Sequence, residues 1–373
     1  MAKHLVLVGG GHAHMTVMLK LEEYTRRGHR VTLVSSDAYH YYSGMGPGML
    51  SGIYRPEEIR FHVKKMVEDR GAAFVEGHVV RVDPAQRLLS LRSGESIDYD
   101  VVSFNTGSGI DREALAGVTE EMVPVKPIIN LLRAREHLVK QMPHGRPRIV
   151  VIGGGAAGLE ITGNLDRLVR DVGGQAEITL VAGRRFLSPF PDRVRRLALA
   201  SFETRGITVI EGARVDRFES LEAILEDDRR IPFDMVFLAT GVKPSSLFRD
   251  SGLPAGEDGG LLVNHRLQSV AHPEIFGGGD CISLEGRRLD KVGVYAVRQN
   301  PILHHNLLSA LEGGVMETFV PQKSYLLIFN LGNGTGIFCR NGLVLGGRWP
   351  FRLKDYVDRK FMRTFQVSGE CSC

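Results

Sequence analysis

One four-part unit occurs twice in this chain, and that repetition constrains the fold more than any other feature. Leu5-Val6-Leu7-Val8 runs into Gly9-Gly10-Gly11-His12-Ala13-His14, then a helical stretch, then Val31-Thr32-Leu33-Val34. Farther on, Ile149-Val150-Val151-Ile152 runs into Gly153-Gly154-Gly155-Ala156-Ala157-Gly158, a helical pattern and Ile178-Thr179-Leu180-Val181. Each is strand, glycine turn, helix and strand, of about the length a βαβ unit needs. Two copies at this wide spacing are not a solenoid period.

A second marker follows each copy. Val101-Val102-Ser103-Phe104-Asn105-Thr106-Gly107 matches Val236-Phe237-Leu238-Ala239-Thr240-Gly241, an apolar strand ending in Thr-Gly. Ile275-Phe276-Gly277-Gly278-Gly279-Asp280 is a further strand, ending on an acid. The order predicts an α/β protein of two nested Rossmann-like dinucleotide-binding domains. One covers 1–112, is interrupted by the other at 113–244, and resumes at 245–315. A smaller α+β segment follows at 316–373, with strand-like Tyr325–Phe329 and Gly342–Leu345, Asn-Gly turns at 333–334 and 341–342, and a basic helix over 350–365.

Composition narrows the partners. The 373 residues suffice for two or three domains, and 44 glycines suit a chain rich in tight turns. A net charge of +4 is too mild to single out a partner, and no nucleic acid is expected. Cys281, Cys339, Cys371 and Cys373 form neither a zinc-type pair nor a disulfide framework, so no metal is expected. The N-terminal apolar run breaks at Gly9 and no stretch reaches the ~18 apolar residues of a membrane span. A reducing, cytoplasmic setting is the expectation.

In a GxGxxG turn the first glycine makes the bend and the second lets a pyrophosphate approach the backbone. The third lets helix and strand pack closely, while the helix N-terminus offers N–H donors to phosphate. Gly153, Gly155 and Gly158 fill all three places; Gly9 and Gly11 fill two, with His14 at the third. With both Thr-Gly strand ends and Gly279-Asp280, the chain over roughly 1–312 resembles the FAD-dependent pyridine nucleotide–disulfide oxidoreductase superfamily. The resemblance implies FAD at the first turn (Gly9, Gly11, His14) and NAD(P)H at the second. It also implies that Thr106-Gly107 and Gly241 line the cofactors, and that Gly279 and Asp280 hold the flavin's ribityl hydroxyls.

Departures from the family pattern are informative. The acid expected at the end of each second strand, to hold the adenosine ribose, is replaced by Ser35 in one copy and Ala182 in the other. Ser36 or Asp37 can serve FAD instead. Arg184 and Arg185 follow Ala182, and three readings stay open: an arginine holds a 2′-phosphate, both are solvated, or the second site is vestigial. Nothing upstream of Cys281 is a cysteine, which excludes the redox disulfide of the disulfide-reductase branch and weakens a sulfide:quinone reductase reading.

What remains resembles type II NADH dehydrogenases and, more closely, a branch associated with selenophosphate synthetase. The matching segments are Tyr42-Ser43-Gly44-Met45-Gly46-Pro47-Gly48, Gly293-Val294-Tyr295-Ala296-Val297-Arg298-Gln299, and Gly347-Arg348-Trp349 with Lys354-Asp355 and Asp358-Arg359-Lys360-Phe361-Met362. The segment from Gly293 should begin a helix aimed at the flavin's pyrimidine edge, with main-chain N–H groups around Val294 facing the charge of the reduced ring. In type II dehydrogenases two glutamines on this helix flank the quinone; Gln299 matches the second and Tyr295 replaces the first. Tyr295 is alternatively a core residue.

Glu160 falls where the family orients the nicotinamide, or else only favours a helix N-terminus. The Gly44–Gly48 loop, with Pro47, is expected to line the flavin ring; His12, His14 and His40 sit nearby as proton shuttles or as structural residues. On the last helix Trp349, Leu353, Val357, Phe361 and Phe365 recur every four residues beside Tyr356, among many basic residues. Such a helix lies in a membrane interface, packs on the body of the protein, or meets a twin subunit in a homodimer; Asp355 and Asp358 interrupt its basic face. Cys371 and Cys373 are expected in a disordered tail or as a swinging redox pair.

The expectation drawn from the resemblance is hydride transfer from NAD(P)H to FAD and onward reduction of a quinone-like acceptor. Glu160, Tyr295 and Gln299 would be the catalytic residues, and the location cytoplasmic or peripheral at the membrane. Two alternatives stay open: a flavoenzyme of sulfur or selenium metabolism, and a non-catalytic flavin-binding partner protein.

Overall fold

A computed structural model describes residues 1–110, 117, 122–142, 145–322 and 324–370. The expected boundary at 112–113, and Cys371 and Cys373, lie outside the described residues.

Each glycine turn sits at the centre of a five-stranded parallel sheet. The first has the order Ile275–Gly277, Val101–Phe104, His4–Val8, Arg30–Ser35, Ala73–Glu76. In the second the order is Met122–Pro124, Met235–Leu238, Arg148–Ile152, Glu177–Val181, Thr208–Ile210. The central strands, His4–Val8 and four of the five residues of Arg148–Ile152, are buried along their length. A sheet covered on both faces demands such unbroken apolar runs.

The repeat runs deeper than the glycine turns. Val79–Asp83, Leu88–Leu91 and Ser96–Asp98 form an antiparallel meander after the fifth strand of the first sheet. Val215–Glu219, Glu222–Leu225 and Arg230–Pro232 do the same in the second. These short strands are half exposed and charged, so they carry little apolar periodicity to announce them. The copies differ at one edge, where the first sheet takes its last strand from late in the chain and the second takes Met122–Pro124 from before its glycine turn.

The last segment begins with the three-stranded antiparallel sheet Leu327–Asn330, Gly336–Arg340, Leu343–Gly347. Asn341 (φ 49°) and Gly342 (φ 80°) make the two-residue hairpin turn expected of Asn-Gly. This sheet meets the helix Ala156–Asp171 of the second unit backbone to backbone. A Cβ on Gly163 would collide with Leu331 O, and one on Gly332 with Gly163 O.

The closing helix, Arg348–Phe365, corrects the expected apolar stripe. Its buried residues are Pro350, Asp358, Met362 and Phe365, whereas Trp349 (55 %), Tyr356 (63 %) and Val357 (43 %) are exposed. The inward face follows a charged pair rather than the largest apolar side chains. Asp358 and Lys354 turn inward together, and Asp355 pairs with Arg359 at 2.9 Å, so neither acid interrupts the exposed basic face.

Candidate functional site

Both turns bend on glycines in the left-handed region, Gly9 at φ 90° and Gly153 at φ 137°. A side chain at either would strike the carbonyl of the neighbouring strand end, Asn105 O or Ala239 O. The amides of Gly9 and Gly153 donate to the matching carbonyls, Val34 O at 2.8 Å and Val181 O at 3.0 Å, which puts the copies in the same register.

The third places differ instructively. Gly158 lies so close to Gly153 O that a Cβ could not fit. In the first turn His14 is fully buried, its Nδ1 2.7 Å from Gly9 O and its Nε2 2.8 Å from Ser103 Oγ. A carbonyl only accepts, so Nδ1 carries the hydrogen and Nε2 accepts from the serine hydroxyl. Burial lowers the imidazole pKa to about 4, which keeps it neutral. His14 therefore shapes the turn from inside; it is not exposed to a ligand and is not a proton shuttle at neutral pH.

Asp280 closes the first unit beside this turn. Its Oδ2 accepts from Ser108 Oγ at 2.7 Å and from Lys126 Nζ at 2.8 Å, and Lys126 also donates to Ser108 Oγ at 3.0 Å. Gln299, expected beside the acceptor, is buried, and its Oε1 accepts from the Gly279 amide at 2.7 Å. The bond fixes the Gly279-Asp280 turn. Thr106 is exposed, and Gly107 and Gly241 have open space where a Cβ would project. Ser35 ends its strand half-buried and Ser36 is exposed beyond it; Arg184 is exposed at the equivalent end of the second unit.

A charged cluster joins the two units to the last helix. Lys354 Nζ donates to Asp358 Oδ2 at 2.6 Å and to Gly44 O at 2.7 Å, with 12 % and 7 % of the two side chains exposed. Tyr42 OH donates to Asp358 Oδ1 at 3.0 Å. Glu160, on the second unit's helix, accepts from the Asn330 amide at 2.7 Å. Loss of hydration in this enclosed position raises its pKa to about 7, and the charge of Asp358 adds to the rise against the opposing pull of Lys354 and the Asn330 amide. Burial would lower the Lys354 pKa, but Asp358 and Glu160 outweigh it and the net shift is upward.

His12 and His40 flank the same cluster. His12 Nδ1 lies 3.2 Å from His40 Nε2, and its ring stacks on Phe361 at 5.6 Å. Burial lowers both pKa values, that of His40 to about 4. The Gly44–Gly48 stretch differs from the expected loop, because a helix starts at Gly46 with Pro47 buried in its first turn. Its small residues make room for protein: a Cβ on Gly48 would lie 2.5 Å from the Tyr54 ring, and one on Gly46 3.0 Å from Ile128.

The helix Gly293–Glu312 begins as expected at Gly293, with Val294 in its first turn and Gly293 close to Ser43 Oγ, 4.0 Å from where its Cβ would be. Tyr295, 8 % exposed, packs edge-on against Tyr325 at 5.7 Å. It also borders a pocket of about 190 Å³ with Arg298, Ile302, Phe319, Val320 and Gln322, so it is both a packing residue and a pocket wall.

Sequence reasoning missed Lys126, Asn105 and the inward pairing of Lys354 with Asp358. The i,i+4 spacing of that last pair was the available signal. Asn105 appeared only as part of a strand end, yet its Nδ2 is buried without a protein partner, as is His12 Nε2.

Residues 3–305 match the model of the family described as pyridine nucleotide-disulphide oxidoreductase. The chain belongs to that family. It is thus an oxidoreductase of a two-dinucleotide α/β fold without a cysteine pair at the first turn. It is 26% identical to ferroptosis suppressor protein 1 of Xenopus tropicalis over 358 residues, 92% of this chain and 90% of that protein. Type II NADH:quinone oxidoreductase of Haemophilus influenzae is 21% identical over 401 residues, with 93% of this chain and 90% of that protein covered. Among solved structures, NDH2 of Plasmodium falciparum in complex with NADH superposes with a TM-score of 0.84 at 12% identity, covering 100% of this chain and 99% of that one.

Proposed function

We propose that this enzyme takes hydride from NAD(P)H by way of FAD and passes the electrons to a quinone-like acceptor. The observation that carries the reading is convergence on the Ser43-Gly44 segment. The helix start at Gly293 abuts Ser43, Lys354 donates to Gly44 O, and Glu160 of the second unit faces Lys354. A ring bound there would meet the first unit, the nicotinamide side and the last helix together. The relatives named above, which include a type II NADH:quinone oxidoreductase, support the same reading.

The residues fit FAD. His12 Nε2 and Asn105 Nδ2 are buried polar atoms in want of a partner beside the first turn, and Gly107 leaves open space. In this reading residues 1–112 and 245–315 hold FAD through Gly9, Gly11, Ser35 or Ser36, Thr106, Gly107, Gly279 and Asp280, while 113–244 hold NAD(P)H through Gly153, Gly155, Gly158 and Gly241. FAD, when bound, supplies the two-electron chemistry. Asp280, already held by Ser108 and Lys126, would accept from the sugar hydroxyls. The N-terminus of the helix at Gly293 offers N–H groups to negative charge. Glu160, titrating near neutral pH, orients the nicotinamide and holds a proton beside it. Tyr295 and its pocket stand on the acceptor side.

Sulfur or selenium chemistry gains no support from the described thiols, since Cys281 and Cys339 are buried and burial raises both pKa values. The exposed face of the last helix, with Trp349, Arg352, Tyr356 and Lys360, supports peripheral contact with a membrane surface. Anaerobic titration of the flavin-loaded protein with NADH and with NADPH tests the main reading. Fast bleaching of the flavin's visible band by either nucleotide, reversed by a soluble quinone, is expected. A yellow protein that neither nucleotide bleaches would overturn it.

A further inference from the structure

The two copies of the βαβ unit give an internal comparison at the point where an adenosine ribose lies. Register aligns Val34 with Val181, because each accepts from the first glycine of its turn. Ser35-Ser36-Asp37 then aligns with Ala182-Gly183-Arg184, so the acid of the first copy is an arginine in the second. Arg184 is exposed and, among the described residues, has no carboxylate within ion-pair distance, whereas Arg185 pairs with Asp192 at 2.5 Å.

A second arginine stands beside it. The 182–185 segment clasps the 211–214 segment through the Gly183–Ala213 bridge and the 2.8 Å bond from Gly212 N to Gly183 O. Arg214 is exposed, and its Cγ lies 3.5 Å from where a Cβ of Gly183 would be. The acids nearby are otherwise engaged. Glu211 accepts from the Phe186 amide and from Arg195, each at 2.6 Å, and Glu226 accepts from the Arg214 amide at 3.1 Å. The strand-end position where a ribose-binding acid would stand is Ala182.

We propose that the second unit selects NADPH over NADH, with Arg184 and Arg214 receiving the 2′-phosphate of the adenosine. The inference rests on the reading that this unit takes a nicotinamide nucleotide. Guanidinium groups meet phosphate oxygens through charge-assisted, often bidentate hydrogen bonds, and a dianion between the two arginines gains both. Gly183, lacking a side chain, lets the Arg214 stem lie against this turn.

The test uses the full-length, flavin-loaded protein and two adenylates without nicotinamide, adenosine 2′,5′-bisphosphate and 5′-AMP, titrated by calorimetry. Binding of the bisphosphate about tenfold or more tighter is expected, as is removal of most of that difference by Arg184→Glu and by the milder Arg184→Gln. NADPH should likewise exceed NADH in kcat/KM for flavin reduction. Equal affinity for the two adenylates, or tighter 5′-AMP, overturns the proposal, as does an unchanged preference in both variants. If neither NADH nor NADPH reduces the flavin, the dehydrogenase reading falls, while the adenylate titration still decides the phosphate preference.

Discussion

Glu160 is the residue whose ionisation should be visible from outside. Its folded pKa of about 7 stands above the ordinary 4.5, so the folded state binds a proton that the unfolded chain has released between those values. Its stabilising contribution is full below pH 4.5 and is lost as pH rises through 7. Glu160→Gln cannot ionise. The melting temperature of the variant relative to the parent is therefore expected to rise across that window and level off above it. A difference that stays flat in differential scanning fluorimetry from pH 4.5 to 8 would show that Glu160 is not raised. The position of Glu160 was legible in the sequence by its offset from the glycine turn; its pKa was not, because Asn330, Lys354 and Asp358 reach it from distant parts of the chain.

At the scale of elements, strands were easier to read than faces. The two parallel sheets announce themselves as apolar runs, since strands covered on both sides tolerate almost nothing else. The last helix misleads for a physical reason: a four-residue stripe of Trp349, Leu353, Val357 and Phe361 drifts around a 3.6-residue helix. The bonds of Lys354 to Asp358 and Gly44, and of Tyr42 to Asp358, rotate Trp349 and Tyr356 outward. Aromatic rings interleaved with Arg352 and Lys360 on the solvent side fit an anionic lipid surface. Trp349→Glu with Tyr356→Glu should cut co-sedimentation with phosphatidylglycerol vesicles several-fold while leaving the melting temperature within a degree or two, as exposed substitutions usually do. Undiminished vesicle binding by that double variant would remove the membrane contact from the proposal.

Across the whole molecule, the C-terminal segment ties the two units together. Its sheet touches the second unit's helix at Gly163 and Gly332, and its helix reaches the first unit at Tyr42, Gly44 and Glu58. Gly163→Val would wedge these backbones apart and should cost about 1–3 kcal/mol in urea unfolding, the usual penalty for overpacking. Proteolysis between residues 313 and 326 should speed up in the same variant. Unchanged unfolding would mean that the segment docks without that contact.

The sequence by itself determined the pair of βαβ units, their glycine turns, the acid at 280 and the absence of an early cysteine pair. All are local patterns imposed by strand burial and by the steric limits of a tight turn. Tertiary structure alone decided the rest. His14 replaces a glycine without opening the turn, because Gly9 O and Ser103 satisfy its ring. Gln299 serves the Asp280 turn, because the helix from Gly293 packs it onto the Gly279 amide. Glu160, Lys354 and Asp358 meet only when three separated segments fold together. Long-range electrostatics and packing choose among side-chain positions that local periodicity leaves equivalent.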